Sequence, residues 1–135
     1  MSANKIVYSI LSNNAALTAL ISTRLNPVRI PQESSFPAVS YQLISDIPNP
    51  TKSGHSRTEF VRVQVNAYGI TLASAESVAS AIRNAFEVVT LPNTFNSIKC
   101  QTIEFDGELQ TADDTAAFAG LYQISQDYII NFTRG

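Results

Sequence analysis

The sequence predicts an α+β fold: an antiparallel or mixed sheet of about four main strands with two helices packed on one face, in the order α-β-β-α-β-β. Three observations predict it. Apolar and polar residues alternate through 58–68 and again through 121–132, the period of a half-buried strand. Between these runs, Ala75, Val78, Ala79, Ile82, Ala85, Phe86 and Val89 recur at helical spacing. Earlier, the stretch R-L-N-P-V-R-I-P-Q-E-S-S-F-P-A-V-S-Y-Q-L-I-S, residues 24–45, leads stiffly into a further alternating run. At 135 residues the chain suits a single domain, 1–135, able to bury roughly two-thirds of the surface its unfolded form exposes.

Taken in order, Ile6, Val7, Ile10 and Leu11 have helical spacing, and Leu17, Leu20 and Ile21 resume it after Asn13 and Asn14. Asparagine caps helix starts, so the pair predicts a broken N-terminal helix over about 3–22, its apolar stripe laid on a sheet. Pro27, Pro31 and Pro37 then hold the chain extended, since each fixes its own φ and biases the residue before it towards β geometry. Val39, Tyr41 and Leu43 alternate with Ser40 and Gln42 in a first strand over about 38–47. The second, 58–68, points Val61, Val63, Val65 and Ala67 one way. Phe60, Arg62, Gln64, Asn66 and Tyr68 lie on its other face, which is polar but ends in aromatics, as an edge partly covered by a neighbour would be. Thr71 is placed to cap the helix of 72–89, and Leu91-Pro92-Asn93 ends it. Residues 98–105 read as a third strand, with Ile98, Cys100 and Thr102 on one face, and 121–132 as a fourth, with Tyr122, Ile124, Tyr128, Ile130 and Phe132 on one face.

Two connections are too long and too polar for tight hairpins. One is D-I-P-N-P-T-K-S-G-H-S-R-T; the other is D-G-E-L-Q-T-A-D-D-T-A-A-F. Within and beside the second lie Glu104, Asp106, Glu108, Asp113 and Asp114, five of the eleven acidic residues. They read either as a solvated turn or as an acidic rim facing a partner or a channel. The calcium-loop pattern is missing from them.

Composition narrows function by exclusion. The formal net charge is −2 and only 15% of residues are charged, so little repulsion opposes self-association. Without a basic excess the chain cannot neutralise the several phosphates that tight nucleic-acid binding requires, although DNA can pass such a surface transiently. The start M-S-A-N-K-I-V-Y-S-I-L-S lacks a signal peptide's apolar core, and no run is long enough to span a membrane, so synthesis in the cytoplasm is expected. Cys100 alone can form neither an internal disulfide nor a Cys-rich metal site, and its strand setting predicts a buried, inert thiol. His55 is the only histidine and lies in K-S-G-H-S-R, a solvated loop with no second group to orient it. Five glycines form neither a phosphate loop nor a dinucleotide fingerprint. Asn131-Phe132-Thr133 matches a glycosylation pattern only by chance without a secretory route. No catalytic, metal or cofactor site is therefore expected.

The succession of the N-terminal amphipathic helix, R-L-N-P-V-R-I-P-Q with F-P-A-V-S-Y-Q, V-R-V-Q-V-N-A-Y-G, the S-A-E-S-V-A-S-A-I-R-N-A-F helix and L-Y-Q-I-S-Q-D-Y-I-I spans nearly the whole chain. In that order it resembles the bacteriophage tail-completion family, proteins similar to tail terminators at the head-to-tail joint of long-tailed phages. The resemblance implies a structural virion protein whose subunits form a ring, typically a hexamer. Such a ring caps the tail tube, contacts the major tail tube protein and a head-completion (stopper) protein, and lets DNA pass without specific binding. The particle would be a phage, a prophage or a gene-transfer-like particle. On that reading Asp46, Pro48, Pro50, Lys52, His55 and Arg57 form a partner-contact loop, while Phe60, Arg62 and Tyr68 meet a neighbouring subunit. Glu104, Asp106, Glu108, Asp113 and Asp114 form the acidic rim. The alternatives are another head-tail joint or tube component of similar fold, or a small ligand-binding or enzymatic domain using a pocket between helix and sheet.

Overall fold

A computed structural model describes residues 2–28, 36–48, 58–91, 93–95, 98–113 and 121–133. The elements are α1 (Ser2–Ser12), α2 (Ala15–Ile21), β1 (Leu25–Pro27), β2 (Ala38–Pro48), β3 (Thr58–Gly69), α3 (Leu72–Glu87), β4 (Asn93–Phe95), β5 (Ile98–Asp113) and β6 (Leu121–Thr133). The strands form one mixed sheet in the order β1-β2-β3-β6-β5-β4. Only β1 and β2 run parallel. The α+β class holds, but the described chain has three helices and six strands, not two and about four.

The helices form where the sequence marks them. Asn13 and Asn14 split the N-terminal helix, and Asn14 Oδ1 accepts from the Leu17 N–H at 2.9 Å to start α2. Thr71 Oγ1 accepts from the Ser74 N–H at 3.1 Å to start α3. Each cap satisfies an amide that would otherwise lack an intrahelical partner, a stabilisation of about 1 kcal/mol. All three helices lie on one side of the sheet, with α3 across β3 and β6 and α1 against β2 and α3. There Ile6, Leu11, Leu17 and Ile82 meet Val39, Val61, Val63, Val65, Ile124, Tyr128 and Ile130 in one core. Each large apolar side chain buried this way stabilises the fold by roughly 1.5–3 kcal/mol.

The strand expectations need correction at five points. Residues 25–27, expected only to be held extended by proline, form a short parallel strand beside β2. Residues 93–95 form β4 on β5 instead of merely ending a helix. The strand expected at 98–105 runs on to Asp113, paired throughout with β6. This extension is exposed on nearly every described residue from Glu104 to Thr111, so it carries no apolar period; its partner strand, not its own pattern, keeps it extended. Finally, β3 is not an edge, because β2 and β6 flank it. A register shift between Cys100 and Thr102 also breaks the face expected for Ile98, Cys100 and Thr102: Cys100 is buried and Thr102 exposed.

Of the lead-in of residues 24–45, positions 29–35 with Pro31 lie outside the described residues, and Arg24 clasps its two ends. Arg24 Nε donates to the Pro37 carbonyl at 2.8 Å, its Nη2 reaches the Leu20 carbonyl at 3.4 Å, and its own carbonyl accepts from the Val39 N–H at 2.9 Å. One residue thus ties the end of α2 to the start of β2, and the Phe36–Pro37 peptide between them is cis.

Candidate functional site

The sheet face away from the helices is polar and, among the described residues, bears no helix. It presents Gln42 from β2, Arg62 and Gln64 from β3, Asp127, Ile129 and Asn131 from β6, and Thr102 and Glu104 from β5, positions set by the cross-strand register; Asp106, at the register shift between Phe105 and Gly107, joins them through its bond to Arg62. At its centre Asn66 Nδ2 donates to Ser40 Oγ at 3.2 Å, while Asn66 Oδ1 accepts from Ser125 Oγ at 2.7 Å and from Gln123 Nε2 at 3.1 Å. Ser40, Asn66 and Ser125 are buried, so these bonds offset the cost of taking polar groups out of water. The result is a polar but stiff seam across β2, β3 and β6.

Nearer the Phe60 end of β3, Arg62 Nη1 donates to Asp106 Oδ2 and lies 3.5 Å from Asp127 Oδ2. The hydrogen bond to Asp106 is the main cause that raises the Arg62 pKa, so the guanidinium stays charged. One cation here faces two carboxylates, with Glu104 exposed on the same face. The surface is net acidic.

The opposite face of β5 and β6 is gripped by α3. Gln126, 1% exposed, donates from Nε2 to the Ala79 carbonyl and to Glu108 Oε1, both at 3.0 Å, and its Oε1 accepts from the Tyr128 hydroxyl at 2.7 Å. Phe86 and Phe105 flank the Tyr128 ring at centroid distances of 4.4 and 5.7 Å, and the Arg83 guanidinium sits 4.0 Å over the Phe105 centroid. Burial pushes the Tyr128 hydroxyl pKa well above its usual value. A polar cleft of about 270 Å³ opens beside this cluster, with Glu76, Ser80, Arg83, Glu108 and Gln110 in its walls. None of its lining residues is a histidine or a cysteine. Cys100, fully buried, has its pKa pushed up to about 11 by desolvation, which keeps the thiol protonated and inert.

The residues singled out in the sequence are distributed unevenly. In the acidic set, Glu104 and Asp106 are exposed on the open face while Glu108 turns to α3 and Gln126. Asp113 ends β5, and Asp114 lies outside the described residues. No single five-acid cluster forms among those described. Asp46 and Pro48 belong to the backbone of β2, whereas Pro50, Lys52, His55 and Arg57 lie outside the described residues. Phe60 is 39% exposed near one end of β3, and Tyr68 is half-buried near the other. The polar residues Ser40, Ser125 and Gln126 were not singled out as functional. Gln126 had a signal, since it interrupts the apolar positions of an otherwise regular alternation between Ile124 and Tyr128.

The sheet edges are only partly covered. β1 pairs with residues 39–41 of β2, and Val28, with a φ of 67°, is the last described residue after it. β4 pairs with residues 98–100 of β5. Among the described residues, the rest of each outer strand has no outer partner.

The family model described as tail completion protein gp17 matches residues 5–131. No curated protein matches the chain. Among solved structures, a chain of the virion of a native gene transfer agent particle superposes with a TM-score of 0.72 over 94% of this chain and 91% of that one. The two are 18% identical, so this likeness concerns the fold. No described helix is long and apolar enough to cross a membrane.

Proposed function

Since the chain belongs to the tail completion protein gp17 family and is thus a structural protein of the virion tail, we propose that it is the subunit of a ring that caps the tail tube and joins it to the head-completion proteins. The observation that carries this reading is the two-sided sheet, with one face closed by helices and the other mostly polar, crossed by the buried Ser40–Asn66–Ser125 seam and without a helix among the described residues. Such a wall suits a channel. Helices then face outward, and the open face looks onto the lumen.

Glu104, Asp106 and Asp127 outnumber Arg62 and Lys99 on that face by one, so a passing phosphate backbone meets slight net repulsion instead of a counter-ion site. DNA moves through without specific binding. The ends of the wall meet the neighbouring rings. Asp46, Pro48, Pro50, Lys52, His55 and Arg57 supply the contact at one end, beside Phe60, and Asp113 and Asp114 at the other, on the side of Tyr68; the register sets the last residues of β2 and of β5 at opposite ends of the sheet. The pairing of Arg62 with Asp106 and Asp127 gives it a role within its own subunit. Phe60 and Tyr68, near the two ends of β3, are offered for contact between subunits.

Electron microscopy of the purified chain tests this reading. Closed rings with a central hole, hexameric in symmetry, are expected. Long cylinders formed by the chain alone would favour the alternative of a tube subunit, and a monomer at every concentration would overturn the ring.

A further inference from the structure

We infer that neighbouring copies of this chain join edge to edge, with the uncovered part of β5 in one copy pairing antiparallel with the uncovered part of β2 in the next. The inference rests on the ring reading and specifies its seam. The Val28 N–H bonds the Tyr41 carbonyl at 2.7 Å, and the Val39 N–H bonds the Arg24 carbonyl at 2.9 Å. Residues 39 and 41 therefore aim their backbone groups outward, to β1. Strand alternation aims those of Leu43 the same way, and among the described residues no strand pairs with β2 there. Across the sheet, β5 is uncovered on its outer side from residue 101 to 113 among the described residues. An uncovered strand edge is a template for another strand.

Register and polarity make the two edges fit. Following the ladders across the sheet, Leu43 lies level with Val63, Tyr128 and Phe105, and Ser45 with Arg62, Ile129 and Glu104. The stretches 42–47 and 101–106, which lack an outer strand partner among the described residues, thus occupy the same height. β2, β3, β6 and β5 alternate in direction, so β5 runs opposite to β2. A copy related by rotation about an axis along the strands therefore presents β2 antiparallel to β5, with both helix layers on the same side. This contact is heterologous and closes into a ring when the rotation closes.

Charge chooses between this seam and self-pairing of β5. Two β5 edges related by a two-fold axis near Asp106 would set Glu104 opposite Glu108 and Asp106 opposite itself, and like charges directly opposite destabilise a strand pair. The β2 edge carries one acid, Asp46, beside the neutral Gln42, Leu43, Ile44 and Ser45. β5 therefore meets less repulsion on β2 than on a second β5.

Paired cysteines test the seam in the full chain, because buried Cys100 contributes little background. Ile44, 46% exposed, and the exposed Glu104 can be replaced with little effect on the subunit itself. In the doubly substituted I44C/E104C chain, oxidation is expected to give a covalent ladder reaching the full ring size, whereas I44C or E104C alone gives no ladder. Independently, Ile44→Glu should weaken ring assembly at least tenfold at unchanged thermal stability, and adding Glu104→Lys should restore it. Rings that persist in the micrographs without a ladder, and that tolerate Ile44→Glu, would overturn the edge seam while leaving the ring intact. Absence of rings from the unsubstituted chain would overturn both.

Discussion

Replacing Gln126 by Leu probes how α3 holds the long β5–β6 hairpin. Gln126 is 1% exposed and makes three side-chain hydrogen bonds, to Ala79, Glu108 and Tyr128. Leucine fills nearly the same volume, so the cavity term is small. The three lost bonds differ in weight. Glu108 is exposed and returns to water, and the Ala79 carbonyl lies inside α3, where the helix supplies a backbone partner. Tyr128, 1% exposed, is left with a hydroxyl that water cannot reach. Stranding such a group costs about 1–3 kcal/mol, against a gain of up to about 1 kcal/mol from the added apolar surface. A net loss of about 1–2 kcal/mol is expected in urea denaturation. Tyr128→Phe alone should cost about 1 kcal/mol, since it leaves Gln126 Oε1 without its donor. The double variant should cost less than the two single losses together, because neither orphan remains, giving a coupling of at least about 1 kcal/mol. Additive losses would refute the view that the Gln126–Tyr128 bond is the main polar tie in this core.

Gly69→Ala should destabilise by about 1–3 kcal/mol, since a Cβ there would lie 2.7 Å from the Ala75 backbone nitrogen at the first turn of α3. Gly107→Ala, with nothing within 4 Å of the new Cβ, should be neutral or stabilising by up to about 1 kcal/mol; thermal melts of the pair check the contrast. Val28 is 60% exposed at a φ of 67°, a left-handed conformation costly for a β-branched residue. Val28→Gly should therefore raise stability by about 0.5–1 kcal/mol, and a lower melting temperature would count against strain at this site. For Cys100, burial places the folded pKa at about 11 against a reference of 9.0. The neutral thiol's contribution is complete below the unfolded pKa and is lost as pH rises from about 9 to about 11. Unfolding free energies should fall across that window less steeply in Cys100→Ala than in the parent, and alkylation of native protein at pH 8 should be slow until denaturant is added.

Elements that bury one face were legible in the sequence. The stripe from Ala75 to Phe86, the alternation of Val61, Val63, Val65 and Ala67, and the caps at Asn14 and Thr71 all stand where local pattern put them. What escaped notice depends on partners distant in sequence. β1 and β4 are three residues each, too short to show a period, and exist through pairing with β2 and β5. The outer part of β5 is exposed, so its sequence looks like a turn until β6 is set beside it. For the same reason the acids between Glu104 and Asp114 suggested one rim, whereas the strand sends Asp106 to Arg62 and Glu108 to Gln126 on opposite faces. Absent catalytic motifs and sparse charge pointed to assembly rather than chemistry. The edges that would join subunits were invisible, because an unpaired edge is a property of the sheet.

Growth of tail tubes in the presence of this chain tests the central claim most directly. Tube protein is polymerised with and without the purified chain, and tube lengths and ends are measured by electron microscopy. A terminator ring predicts tubes that stop elongating and carry one extra disc at the capped end, in proportion to the chain added. Tubes that lengthen unchanged with bare ends, or that incorporate the chain along their walls, would contradict it.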